Sequence, residues 1–82
     1  MKIEIHNAQP VIDAHDLGPL IGVDPALVQT KMRAGDITSK YETGQGADAG
    51  RFRMTFYYDG KTVRLTCADD GTVISTTRTS FG

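Results

Sequence analysis

The chain has 82 residues, of which 39% are hydrophobic and 23% are charged. This length supports one hydrophobic core and is too short for two, so we expect a single domain over residues 1–82. Nine Lys and Arg against ten Asp and Glu give a net charge of −1, which excludes the broad basic field typical of nucleic-acid-binding proteins. No stretch approaches the roughly 20 apolar residues that a membrane span needs.

The cellular compartment is suggested only by what the sequence lacks. Cys67 is the single cysteine, so no intramolecular disulfide can form. The first ten residues contain no apolar run like that of a secretory signal peptide. We therefore expect a cytoplasmic protein with no membrane partner.

The N-terminus predicts a short strand over residues 1–5. Its apolar residues alternate with charged ones, which is the period of a half-buried strand; the apolar set is Met1, Ile3 and Ile5. A first helix follows, and its start is open between two aspartates. It begins either at Asp13, with a kink at Gly18 and Pro19, or at Asp16 as a single turn. We prefer the single turn, because Pro19 interrupts the helical pattern.

The second helix has the clearest local signals. Gly22 stops the first helix, Asp24 caps the next one, and Pro25 suits its first position. The predicted helix runs from Pro25 to Ala34 and ends at Gly35. Its inward stripe consists of Leu27, Val28, Lys31 and Met32, with the Lys31 amine extending to solvent.

From residue 37 onward the pattern changes to period two, which predicts strands. The first runs over residues 37–42, and a glycine-rich loop at 44–50 follows it. This loop resembles a phosphate-binding loop, but it lies between two predicted strands, and a flexible hairpin connection is the favoured interpretation.

Two tight turns then connect the last three predicted strands. The first of these strands is Arg51–Tyr58, with Phe52, Met54, Phe56 and Tyr58 inward. Asp59 and Gly60 form a two-residue turn, so Lys61–Ala68 pairs antiparallel, with Val63, Leu65 and Cys67 inward. After a turn at residues 69–71, an edge strand is predicted over 72–78. The predicted fold is α+β: a short N-terminal strand, two short helices, and an antiparallel meander of about four strands.

Residues 21–37 resemble the helix-turn-helix of excisionase-like and mercury-resistance-regulator-like DNA-binding domains. The matching positions are Gly22, Val23, Asp24, Val28, Met32, Gly35 and Ile37. Lys31 departs from the motif, which has an apolar residue there, and Gly18-Pro19 weakens the first helix. The resemblance implies that Gln29, Thr30 and Arg33 would face the DNA. This is a sparse set for phosphate contacts, so nucleic-acid binding is disfavoured against two helices that simply cover a sheet.

The outward face of the long hairpin is the best candidate for a binding surface. It would carry Arg51, Arg53, Thr55, Tyr57, Arg64 and Thr66. Basic groups beside an aromatic ring suit an acidic partner. A plain solvated sheet face is the competing interpretation.

No arrangement of residues indicates catalysis or metal binding. His6 and His15 are too few and too isolated for a zinc site, which needs three or four protein ligands. No serine elbow or Cys/His pair is present, and Asp69 and Asp70 lie in a predicted turn, where acidic residues are common. We therefore expect no enzyme activity, no metal and no cofactor.

Taken whole, the chain resembles a family of small, mostly alphaproteobacterial proteins of unknown function. The resemblance rests on residues 21–27, on residues 33–56 and on the terminal Phe81-Gly82. It implies no function, but it implies that the glycine-rich loop and residues 51–53 belong to the family pattern.

We interpret the chain as a non-catalytic protein-binding or adaptor domain. Its partner would contact Arg51, Arg53, Tyr57 and Arg64. The partner is expected to be a protein, and the unpaired edge of the strand at 72–78 makes a second copy of the chain one candidate, as a homodimer. The alternative is a winged-helix-like DNA-binding protein of excisionase-like type.

Overall fold

A computed structural model describes residues 1–7, 9–44 and 46–80, without the side chains of Asp48 and Ser80. Gln45, Phe81 and Gly82, which carry part of the sequence resemblance, lie outside the described residues. The elements in chain order are β1 Glu4–His6, β2 Gln9–Val11, α1 Ala14–Ile21, α2 Pro25–Ala34, β3 Thr38–Thr43, a 3-10 turn at Gly46–Asp48, β4 Arg51–Tyr58, β5 Lys61–Ala68 and β6 Val73–Ser80. The predicted α+β class is confirmed. No described helix has the length and apolar character that crossing a bilayer would require.

A short N-terminal strand is confirmed, but it spans Glu4–His6 rather than residues 1–5, and a second strand pairs with it. Asn7 adopts a positive φ of 51° and the chain turns, so β1 and β2 form a small hairpin in which Ile5 lies opposite Pro10. Ile3 is buried, but Met1 and Ile5 are exposed. Residues 1–3 instead lie beside the turn before β6, where the Ile3 amide donates to the Gly71 carbonyl over 2.7 Å.

The first helix is longer than the preferred prediction, and the alternative start at Asp13 is correct. The Asp13 carboxylate accepts a hydrogen bond from the His15 amide at 2.7 Å and caps α1. Pro19 lies inside this helix, where it removes only one backbone donor. Leu17 and Ile21 are fully buried, and their burial holds the helix in place despite that loss.

The second helix has the predicted bounds and caps. The Asp24 carboxylate accepts from the Ala26 amide, Pro25 is in the first turn, and Gly35 ends the helix at φ 82°. Val28 is buried as predicted. Leu27 is wrongly placed in the inward stripe, since it is 48% exposed; it is rotated about 100° around the helix from Val28. The Lys31 amine lies 5.3 Å from the centre of the Tyr58 ring, in cation–π contact.

The last four strands form one antiparallel sheet in the order β3-β4-β5-β6. Asp59 and Gly60 both have positive φ, 47° and 74°, as the predicted two-residue turn requires. The inward residues of β4 and β5 are buried with residues of both helices in one core, which includes Leu17, Ile21, Val28, Phe52, Met54, Phe56, Val63, Leu65 and Cys67. The helices therefore cover one face of the sheet, here called the inner face.

The last strand is offset from its predicted bounds. It runs over Val73–Ser80 rather than 72–78, because Thr72 belongs to the turn: its amide donates to the Asp70 carboxylate over 2.9 Å. A register shift at Thr66 and Cys67 marks a bulge near the start of the strand. β6 is the last strand of the sheet and pairs with β5, so it is an edge strand as predicted. Only the start of its other edge is covered, where the Val73 amide donates to the Met1 carbonyl over 3.2 Å among the described residues.

Candidate binding surface

The opposite face of the four-stranded sheet, here called the outer face, carries polar and basic side chains. Residues directly opposite each other in an antiparallel sheet project on the same side, so the register assigns this face across all four strands. Its charged and aromatic members are Lys40, Glu42, Arg51, Arg53, Tyr57 and Arg64. Its hydroxyl-bearing members include Thr38, Thr55, Thr62, Thr66, Ser75, Thr77 and Thr79.

All four residues that were predicted to bind a partner lie on the outer face. Arg53 is opposite Thr66, and Tyr57 is opposite Thr62. Arg64 is opposite Thr77 on β6. Arg51, Tyr57 and Arg64 are exposed, and Arg53 is half-buried. The sequence therefore identified a set of residues that the fold brings together on one open surface.

Thr55 lies at the centre of this surface and is nearly inaccessible to solvent, at 1% exposure. In the register it stands between Lys40 on β3 and Arg64 on β5. Both neighbours are exposed and long, so basic side chains flank Thr55 on both sides of β4.

The outer face is strongly basic for so small a surface. It carries four cationic side chains and one carboxylate, that of Glu42, which is opposite Arg53. Among the described residues, no carboxylate forms an ion pair with Arg51, Arg53 or Arg64; the pairs found are Glu4 with His6 and Asp13 with His15. The charge of the arginines is therefore available to a partner.

A cavity of about 370 Å³ opens at one end of the outer face, next to the glycine-rich loop. Its lining consists of Glu42, Thr43, Gly44, Arg51, Phe52, Arg53 and Thr66. The Nε atom of Arg53 is buried and has no hydrogen-bond partner among the described residues. Such an unsatisfied buried donor is rare in folded proteins.

The glycine-rich loop is a hairpin connection, as predicted. It joins the antiparallel strands β3 and β4, and the Gly44 amide donates to the Arg51 carbonyl over 2.8 Å at its base. A short 3-10 turn, Gly46–Asp48, lies within it. The loop fixes the position of Arg51 beside the cavity.

The residues proposed for DNA contact lie elsewhere on the molecule. Gln29, Thr30 and Arg33 are all exposed on α2, which packs against the inner face of the sheet. The structure thus separates the two predicted binding surfaces. A partner that lies flat on one of them does not reach the other.

Three groups outside the outer face have shifted pKa values. The hydrogen bond from the His15 amide lowers the pKa of Asp13, and the one from the Thr72 amide lowers the pKa of Asp70. Burial raises the pKa of the Cys67 thiol. No three or more His, Cys, Asp or Glu side chains cluster as metal ligands in the described part of the chain.

Sequence reasoning missed the contribution of β3 to this surface. Lys40 and Glu42 alternate with Ser39 and Tyr41, so the pattern indicated one shared side. The sequence did not reveal the pairing of this strand with β4, because the loop at 44–50 leaves the register open. The sequence also gave no sign that the Arg53 Nε is buried without a hydrogen-bond partner.

The comparisons with known proteins identify a family and nothing further. The sequence model of DUF6522, a family of unknown function, matches residues 1–82. No curated protein and no solved structure shows a significant match.

Proposed function

The chain belongs to DUF6522, a family of unknown function, and we propose from its geometry that it is a non-catalytic binding domain for an acidic protein segment. The outer face of the sheet is the binding surface. The observation that carries the proposal is that Arg51, Arg53, Tyr57 and Arg64 share one face with Lys40, and that only one carboxylate lies among them.

An acidic polypeptide suits this face better than a nucleic acid. Sheet surfaces that bind single-stranded RNA or DNA stack successive bases on two or more aromatic rings. The outer face offers one ring, that of Tyr57, among its described residues. Carboxylates of a polypeptide need no stacking platform, and arginines bind them in a forked geometry.

Binding of a short fluorescein-labelled polyglutamate peptide tests the proposal. We expect binding at low salt that weakens as salt is added, since exposed charges are screened. The Arg51→Glu/Arg53→Glu double variant should lose polyglutamate binding. Tight binding by this variant would contradict the proposal.

A control variant of equal charge change is available on other surfaces. Arg33 lies on α2, and Arg78 lies opposite Val63 on the inner side of β6; both are exposed. The Arg33→Glu/Arg78→Glu variant alters the net charge by the same amount and leaves the outer face intact. It should retain polyglutamate binding, and an equal loss would mean that the peptide senses only the total charge.

A second copy of the chain is a candidate partner through β6. Beyond Val73 this strand pairs only with β5 among the described residues, and its Ile74 side chain is half exposed, so it offers an edge for strand addition. Sedimentation of the wild type at increasing concentration should then show a dimer. Thr76→Pro removes a donor on the open edge of β6, because the Thr77 amide next to it faces β5, and should yield the monomer. A wild type that stays monomeric would contradict self-association.

DNA binding through α2 is the competing function. It is supported by the exposure of Gln29, Thr30 and Arg33 on a helix that follows a tight turn. It predicts salt-dependent binding of random-sequence duplex DNA, weakened by alanine at these three positions. Absence of binding at low salt would reject it.

A further inference from the structure

We propose that the cavity beside Arg53 binds a carboxylate group. The inference rests on the proposed function, because the cavity lies at one end of the outer face, and it names the position on that face where one acidic group is held. Its basis is the unpartnered Arg53 nitrogen together with the neighbouring Arg51 and Thr66 side chains.

The Arg53 Nε is a donor in need of an acceptor. It is buried, and no described group accepts from it. A guanidinium donates through Nε and one terminal nitrogen in parallel, which matches the two oxygens of a carboxylate. Burial of such a donor without an acceptor costs free energy, and a ligand oxygen that reached Nε would remove that cost.

The groups around Arg53 complete a small anion-binding set. Arg51 adds a second positive charge, and the Thr66 hydroxyl can donate to a ligand oxygen. Glu42 also lines the cavity, but it forms no ion pair with either arginine among the described residues. At about 370 Å³ the cavity is near the lower limit for ligand sites, which suits one acidic group better than a large cofactor.

The test uses acetate as the probe and follows the Arg53 Nε–H signal by nitrogen-15 NMR. Acetate should shift this signal, whereas sodium chloride at equal ionic strength should not. Equal effects of acetate and chloride would overturn the site.

Two conservative variants separate the site from general electrostatics. Arg53→Lys keeps the charge and removes Nε, so acetate binding should weaken about tenfold or more. Arg78→Lys makes the same change on the inner side of β6, away from the cavity, and should bind like the wild type. Equal behaviour of the two variants would overturn the assignment of Arg53.

Polyglutamate binding, measured on the same samples, distinguishes this inference from the proposed function. If polyglutamate binds but acetate leaves Arg53 unaffected, the carboxylate site is wrong and the basic face stands. If acetate shifts Arg53 but polyglutamate does not bind, the site stands and the acidic protein partner is wrong.

Discussion

Gly71 shows how one residue joins the N-terminus to the sheet. Its φ is +94°, and its carbonyl accepts from the Ile3 amide over 2.7 Å. A Cβ atom at this position would lie 1.9 Å from the Ile3 carbonyl oxygen, so no other residue can be accommodated without moving backbone. The burial of Ile3 depends on this close approach.

We predict that Gly71→Ala lowers the free energy of unfolding by more than about 2 kcal/mol, from the unfavourable φ and the clash together. Gly35→Ala is the matched control, because φ there is also positive, at 82°, and a Cβ would meet nothing within 4 Å. The control should lose only about 1 kcal/mol. Urea unfolding measures both, and equal losses would show that residues 1–3 do not pack as described.

The Cys67 thiol gives a prediction at alkaline pH. Burial disfavours the thiolate and raises the pKa of Cys67 in the folded state. The stabilisation from burying the neutral thiol is therefore fully present below the Cys67 pKa of the unfolded chain. It is lost as the pH rises through the Cys67 pKa of the folded protein. The unfolding free energy should fall above about pH 9, and less steeply in Cys67→Ala. Identical slopes by urea unfolding would mean that the thiol is accessible.

The sequence correctly predicted the role of single residues where that role depends on near neighbours in the chain. Asp24, Gly35 and the Asp59-Gly60 turn were identified correctly, because caps and turns depend on a few neighbouring bonds. Leu27 and Ile5 were misplaced, because their burial depends on what covers them, and the pattern of one element does not contain that information.

At the scale of elements, α1 shows how tertiary packing overrides a local breaker. Pro19 predicted a helix of one turn, yet the helix spans Ala14–Ile21 because Leu17 and Ile21 are both fully buried. Gly18 allows this packing: a Cβ there would be 2.5 Å from the Val23 carbonyl oxygen. The helices approach closely at this point.

The Asp13 cap makes the stability of α1 depend on pH in the acid range. The hydrogen bond from the His15 amide lowers the pKa of Asp13, so its contribution is present above the ordinary value of 3.8 and is lost as pH falls through the folded value. Asp13→Asn can still accept the bond but cannot titrate. It should unfold with a weaker pH dependence at acid pH than the wild type does, by circular dichroism. An unchanged dependence would contradict the role of Asp13.

The sequence predicted the positions of the strands better than the pairing between them. Alternation gave the inward and outward residues of β4 and β5 correctly, and the short turn between them fixed their register. No such turn joins β3 to β4, so the contribution of Lys40 and Glu42 to the outer face required the structure. The cavity beside Arg53 escaped prediction for the same reason, since β3, β4 and β5 all line it.

At the scale of the whole molecule, the charge is unevenly distributed. The net charge is only −1, but the outer face holds four basic residues and one acidic residue. The rest of the chain then has five basic and nine acidic residues. The total charge argued against a polyanion-binding surface, whereas the fold concentrates the positive groups on one face. An acidic partner would be attracted to that face and repelled by the others.

The most direct test of the basic outer face is to map polyglutamate binding on the wild type by amide chemical shifts in two-dimensional NMR. We predict that the largest shifts fall on β4 and β5, with the Arg53 and Arg64 side-chain signals among them, and that α2 is unaffected. Shifts concentrated on α2, or spread evenly over the molecule, would contradict binding at the outer face.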